Sequence, residues 1–325
     1  EGELYVRMGS MVRSGQGWHL RRFGSDGKYV KTLLPYAPST DPEKASGYRL
    51  IDAGDGLLTP ANLSAMDPVF MSLGSTLYPR LVNGSVVFID SGAARMTFFR
   101  VDGSNEMKTV PMRTSKEKLQ WRDHLSPQIA FSPDGRYAYY SNVAKVGYKT
   151  TNPSQIDPRF PQGRVYRHDL SKPGSDPEKF YDLELPDWEK TKYWMPNAWN
   201  KKTAAAGVDV DAEGNLYVCD LVNQEVVKVS PEGKKLCAVK VPWPDKVLVS
   251  SKSESMYVVS SKVSKASPGY GRPASELLKL DGRGADAKVV AKLVLHGSGR
   301  KIQGAIGQSF ALDESGERPV ICVGG

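Results

Sequence analysis

The residues best equipped to meet a ligand fall in a few short stretches. Pro186 to Ala206 holds Trp188, Tyr193, Trp194 and Trp199 beside Lys190, Lys192, Lys201 and Lys202. Val143 to Gly163 holds Tyr148 and Phe160 with Lys145, Lys149 and Arg159. Ser264 to Ala274 holds Tyr270 and Arg272, and Lys301 lies between His296 and Gln308. Flat aromatic rings stack on sugar faces or anchor protein interfaces, and neighbouring cations pair with carboxylate or sulfate. Trp188, Tyr193, Trp194, Trp199, Lys201, Tyr148, Arg159, Tyr270, Arg272 and Lys301 are therefore expected to form one binding face. Its ligand would be a glycan or a partner protein.

Groups suited to acid–base chemistry are sparse. His19 and His168 fall inside predicted strands, while His124 and His296 fall in loops. His124 follows Asp123, and a carboxylate can orient an imidazole. Together with Tyr193 and Lys201 it is the kind of set a polysaccharide lyase uses, a base beside a cation that neutralises a uronate. Sequence adjacency fixes no geometry, and an exposed loop histidine reads the same. Cys219, Cys237 and Cys322 form no CxxC pair, so a zinc knuckle or c-type haem is unsupported. Cys219 and Cys322 sit in apolar strands, as buried free thiols do. The glycines between 147 and 163 and between 297 and 307 lack the following Lys-Ser or Lys-Thr of a phosphate loop. Asp209, Asp211 and Glu213 read as a solvent-facing acidic row.

What must position these groups is a series of short strands. Gly207 to Lys235 shows the pattern best. Val208 and Val210 alternate with Asp209 and Asp211, and Ala212 to Asn215 supplies turn residues. Leu216 to Cys219 is an apolar run too short for a helix. Val226, Val227 and Val229 form a third strand, Pro231-Glu232-Gly233 closes it, and Leu236 to Val241 makes a fourth. Four antiparallel strands in roughly 40 residues are one β-propeller blade. This unit resembles an NHL repeat. Phe131 to Asn142, with its Ser-Pro-Asp-Gly turn and aromatic strand, resembles the YVTN and WD40-like propeller repeats.

The same grammar recurs along the chain. First-to-second-strand turns fall near Gly2, Gly84, Gly135, Gly214, Glu254 and Gly316. Third-to-fourth-strand turns fall near Gly27, Gly103, Pro173, Gly233 and Gly282. They interleave without a miss, so the expected fold is an all-β propeller of four-stranded antiparallel blades. Six blades are counted, with seven or eight open, in one domain over 1–325 that is expected to belong to a longer chain. Tyr36 to Arg80 matches no strand pattern and reads as an insertion. With 143–163 and 186–206 it falls in the loop set that emerges on one face, where function concentrates.

The architecture is shared by the gluconolactonase and senescence-marker group, whose resemblance implies a metal-dependent hydrolase. There an Asn and an Asp placed just before the opening of inner strands help hold a divalent ion, as hard oxygen ligands do. At those places this chain has Ala206 before Gly207-Val208, Pro127-Gln128 before Ile129, and Asp245-Lys246 before Val247. Asp245 is the only acid among them.

A net charge of +8 would favour anionic partners, but no basic run resembles a nucleic-acid arm. No apolar stretch reaches the roughly 18 residues of a membrane span. The main expectation is a non-catalytic binding scaffold, extracellular or periplasmic, with no cofactor, no metal, no nucleic acid and no membrane span. The lactonase-type hydrolase and the lyase are its alternatives.

Overall fold

The computed structural model describes residues 3–8, 19–41, 50–52, 55–60, 80–90, 95–102, 104, 106–111, 128–141, 163–172, 174–184, 204–260, 275–295 and 309–324. The fold is an all-β propeller of antiparallel blades, and five blades are present among the described residues. The chain divides into two compact units, residues 1–112 with 313–321, and residues 113–312 with 322–325.

The first unit holds a three-stranded sheet of β1 (Leu4–Met8), β2 (His19–Phe23) and β3 (Tyr29–Leu34). A short hairpin of β4 (Leu50–Asp52) and β5 (Leu58–Pro60) follows. Next comes a four-stranded sheet of β6 (Arg80–Val82), β7 (Ser85–Asp90), β8 (Arg95–Arg100) and β9 (Met107–Pro111). Asn83 and Gly84 both take left-handed backbone, φ 45° and 71°, as a two-residue hairpin turn requires. Leu20, Leu34, Tyr36, Val86, Phe99 and Met107 form this unit's core.

The second unit holds three complete blades. They are β10 (Gln128–Phe131) to β13 (Glu178–Asp182) with β11 (Tyr137–Ser141) and β12 (Arg164–Asp169) between them. The next runs through β14 (Ala205–Val210), β15 (Leu216–Asp220), β16 (Glu225–Val229) and β17 (Lys235–Lys240). The last runs through β18 (Pro244–Val249), β19 (Met256–Ser260), β20 (Ser275–Asp281) and β21 (Lys288–Leu295). A two-stranded sheet of β22 (Ser309–Asp313) and β23 (Val320–Gly324) ends the chain.

Alternation decides what each strand buries. Tyr139 and Val165 of one blade meet Val208, Leu216, Val218 and Val227 of the next in one apolar cluster. The opposite face of that second blade, with Tyr217, Cys219 and Val226, meets Val247, Val258 and Leu278 of the third. Each sheet is thus apolar on both faces, which explains the unbroken run Leu216 to Cys219. The outer strands share a device. The registers of β13, β17 and β21 slip by one residue against their neighbours, leaving Phe180, Leu236 and Val290 as bulges. Such bulges increase the twist of an edge strand.

Two expectations need correction. The blade count is five, not six, because the turn near Gly316 opens only the β22–β23 hairpin and no further strands join it among the described residues. The Tyr36–Arg80 stretch is not without strands: Tyr36 and Leu58 exchange backbone hydrogen bonds of 2.7 and 2.9 Å, tying the β4–β5 hairpin to a buried tyrosine. Val208, Ile129, Phe310, Leu216, Val218, Tyr139 and Val258 are buried. Val210, Phe131, Leu312 and Ile321 are only half-buried, since they stand next to turns or in the final hairpin.

Leu216 is fully enclosed between two blades. Leu216→Ala should lower unfolding free energy by about 2–5 kcal/mol in denaturant titration, the range for a buried leucine that leaves a cavity. A loss below about 1 kcal/mol would mean the inter-blade cluster does not carry stability.

Candidate functional site

The inner strands β10, β14 and β18 are neighbours in space. At one end of them the contacts run continuously from blade to blade. Gln128 pairs with Ser141, and the Ser141 hydroxyl donates a buried 3.0 Å hydrogen bond to the Ala206 carbonyl. Gly207 then sits directly on the Asp245–Lys246 peptide, so close that a Cβ would lie 2.6 Å from the Asp245 carbonyl oxygen. The Lys246 ammonium stands 5.1 Å from the centroid of the Phe310 ring, a cation–π contact.

Both central strands are irregular here. The β14–β15 register slips between Ala205 and Val208, and the β18–β19 register slips between Pro244 and Lys246. A bulge breaks the strict in–out alternation and can re-aim a side chain. It falls on Asp245, which is 4% exposed, and Lys246, which is 9% exposed. Deeper along the same strands, the Asp209 carboxylate accepts the Val249 amide at 2.8 Å and clamps β14 to β18. A carboxylate and an ammonium in consecutive positions at the start of an inner strand are the residue types that can move a proton and stabilise developing negative charge.

The other polar clusters are occupied by structural work. Asp211 is buried, against the expectation of a solvent-facing acidic row. Burial by itself would raise its pKa, but Asn215, Tyr217 and Lys228 hold it below the ordinary carboxylate value. Its oxygens accept Asn215 and Tyr217 hydrogen bonds of 2.7–3.1 Å, and the Arg283 guanidinium lies 3.7 Å away. Burial and the Asp211 charge push the Tyr217 phenol far upward. Arg283 in turn donates to the Ser250 and Ser253 carbonyls, locking the following blade. Asp220, near the ring of inner strand ends, is raised by burial, yet its carboxylate is consumed by Val222, Asn223 and the Asn223 side chain in its own turn.

All ten residues of the expected aromatic and basic face lie outside the described residues. These are Trp188, Tyr193, Trp194, Trp199, Lys201, Tyr148, Arg159, Tyr270, Arg272 and Lys301. Asp123 and His124 lie outside them too. Of the lactonase-like positions, Asp245 is placed at the inner strand end, Ala206 offers only its carbonyl, and that carbonyl is taken by Ser141. Gln128 is half-buried and contributes an amide. Among the described residues no three of His, Cys, Asp and Glu group as metal ligands. Among the described residues the donor set therefore does not fit the divalent site of that group. Sequence reading missed Lys246, Phe310 and Ser141, whose roles depend on partners dozens of residues away.

No family model and no curated protein matches the chain. The solved structures similar to it are propeller-type proteins, and membership of the NHL family is not confirmed. A hydrazine synthase chain of Kuenenia stuttgartiensis is 13% identical with a TM-score of 0.41, covering 74% of this chain and 52% of that one. The chain thus spans about half the length of that protein. A luciferin-regenerating enzyme is 15% identical with a TM-score of 0.44, covering 91% of this chain and 78% of that one. A catalytically inactive virginiamycin B lyase of Staphylococcus aureus is 11% identical with a TM-score of 0.40, covering 99% and 74%. Similarity at this level concerns fold alone. The expectation of a non-catalytic binding scaffold is corrected: the similar solved structures bear enzyme names, and the ten residues on which it rested lie outside the described residues.

His168 gives the stability of the fold a pH signature. It is 2% exposed on β12, and burial lowers its pKa against the opposing pull of the Ser175 backbone, Asp169 and Asp176. A histidine lowered in the folded state binds fewer protons than the unfolded chain, so stability falls as pH drops through and below the unfolded value of about 6.5. Unfolding free energy measured from pH 7.5 to 5 should decline, and His168→Phe should flatten that decline. An unchanged slope in the variant would assign the loss to other groups.

Proposed function

We propose that the protein is a hydrolase of the lactonase type, opening a cyclic or linear ester at the ends of the inner strands. The observation that carries this reading is the consecutive buried pair Asp245 and Lys246 at a β-bulge. Isolated charges are costly to bury, so such a pair in a strand end calls for an electrostatic or chemical use.

The Asp245 carboxylate would act as general base on a water molecule. The water oxygen forms a bond to the ester carbonyl carbon while its proton passes to Asp245. The Lys246 ammonium would stabilise the oxyanion that develops on the carbonyl oxygen. Collapse of the tetrahedral intermediate breaks the carbon–oxygen bond of the leaving alcohol, which takes the proton back from Asp245. Asp245 and Lys246 carry these steps by themselves, since the donor set among the described residues does not fit a divalent ion.

The test is turnover of a panel of sugar lactones, simple lactones and aryl esters by wild type, Asp245→Asn and Leu216→Ala, each with and without chelator. Asp245→Asn should lose at least a hundredfold in kcat, within the range that general acid–base groups contribute. Leu216→Ala should keep its kcat below its melting temperature. Absence of turnover on the whole panel, or equal turnover by Asp245→Asn, would refute the hydrolase reading. Activity abolished by chelator and restored by a divalent ion would refute the metal-free step.

A further inference from the structure

We infer that Gly207 is a positioning residue for Asp245 and Lys246; this rests on the reading of Asp245 as the reacting carboxylate. Most turn glycines of the chain serve conformation. Gly27, Gly84 and Gly174 take positive φ, and a Cβ on any of them would meet nothing within 4 Å. Gly207 is the reverse case. Its backbone is not in the left-handed region, but a Cβ would lie 2.6 Å from the Asp245 carbonyl oxygen, 2.8 Å from the Lys246 Cα and 3.3 Å from the Asp245 carbonyl carbon. All three obstacles are backbone, which cannot swing aside as a side chain would.

The requirement is therefore for contact between two strands, and the contact falls on the bulge that carries the acid and the base. The register slips of β14 and β18 meet at this point. The β14 side is held from behind, since the Ser141 hydroxyl fixes the Ala206 carbonyl at 3.0 Å. The β18 side is held from below by the 2.8 Å bond between the Val249 amide and the Asp209 carboxylate. Gly207 is the point through which that frame touches the Asp245–Lys246 peptide. Added volume there must push the peptide outward, and the Asp245 carboxylate and Lys246 ammonium move with it. A misplacement of about 1 Å can cost on the order of a hundredfold in rate.

The experiment separates positioning from mere packing. Gly207→Ala, Ser141→Ala and Leu216→Ala are compared in melting temperature, in kcat and KM on the best ester of the panel, and in the carbon-13 shift of the Asp245 carboxyl carbon. That signal is assigned by its disappearance in Asp245→Asn. Gly207→Ala should lower kcat at least tenfold with KM changed less than threefold, and should move the Asp245 signal. Ser141→Ala, which adds no volume, should act in the same direction by threefold or more, and it decides the matter if Gly207→Ala does not fold. Leu216→Ala should lose melting temperature with neither effect. Variants at positions 207 and 141 that behave like Leu216→Ala, with an unmoved Asp245 signal, would overturn the inference. The shift is readable without any turnover, so it stands or falls separately from the hydrolase reading.

Discussion

The three complete blades of the second unit depend on one constraint: neighbouring sheets must bury both of their faces while their inner strands come close enough to touch. A four-stranded sheet that is apolar on one side can rest on a single partner. These sheets cannot, because Leu216, Tyr217, Val218 and Cys219 are buried on alternate faces of one strand. Two partners are therefore obligatory, and a blade with two partners is a member of a repeating series. Closeness of the inner strands then forces small residues at the crossing points. Ala204, Ala205, Ala206 and Gly207 are that requirement written as sequence, four residues without bulk where β14 passes β18 and β10.

Polar groups follow the same geometry. At the turn end of the blades, Asp211 gathers its own hairpin and reaches Arg283 of the next blade, which caps the Ser250 and Ser253 carbonyls. The buried carboxylate is met by several donors, so its burial is satisfied and it has no capacity left for a ligand. At the opposite end the crowding is of backbone on backbone, where Gly207 meets the Asp245–Lys246 peptide.

Much of the fold was legible in the sequence because it is written in local code. Turn residues of the Asp-Gly and Asn-Gly kind, with apolar runs between them, placed the hairpin turns at Gly27, Gly84, Gly135, Gly214, Gly233 and Gly282, all of which take left-handed backbone. The blade count was less legible. The turn at Ser315–Gly316 looks like every other first hairpin, and whether two more strands follow is not a local property. The site was hardly legible at all. Asp211 reads as a surface acid until Arg283, far along the chain, is placed beside it, and Lys246 reads as an ordinary strand lysine until Phe310 is. Aromatic and basic residues in loops attract attention in a sequence because they stand out in composition, but composition says nothing of where a loop lies.

Asp245 shows where the two kinds of information meet. Family resemblance selected its position as that of a metal ligand, on the pattern of a residue preceding an inner strand. The same comparison exposed Ala206 as the wrong partner. The structure gives a physical reason: Ala206 is 2% exposed in an apolar cluster with Tyr217, Val247 and Met256, where a carboxylate would be buried among apolar side chains. The narrow crossing of the two inner strands falls at the bulge that carries Asp245 and Lys246, and Gly207, which leaves no room for a Cβ, is the residue through which the strands touch.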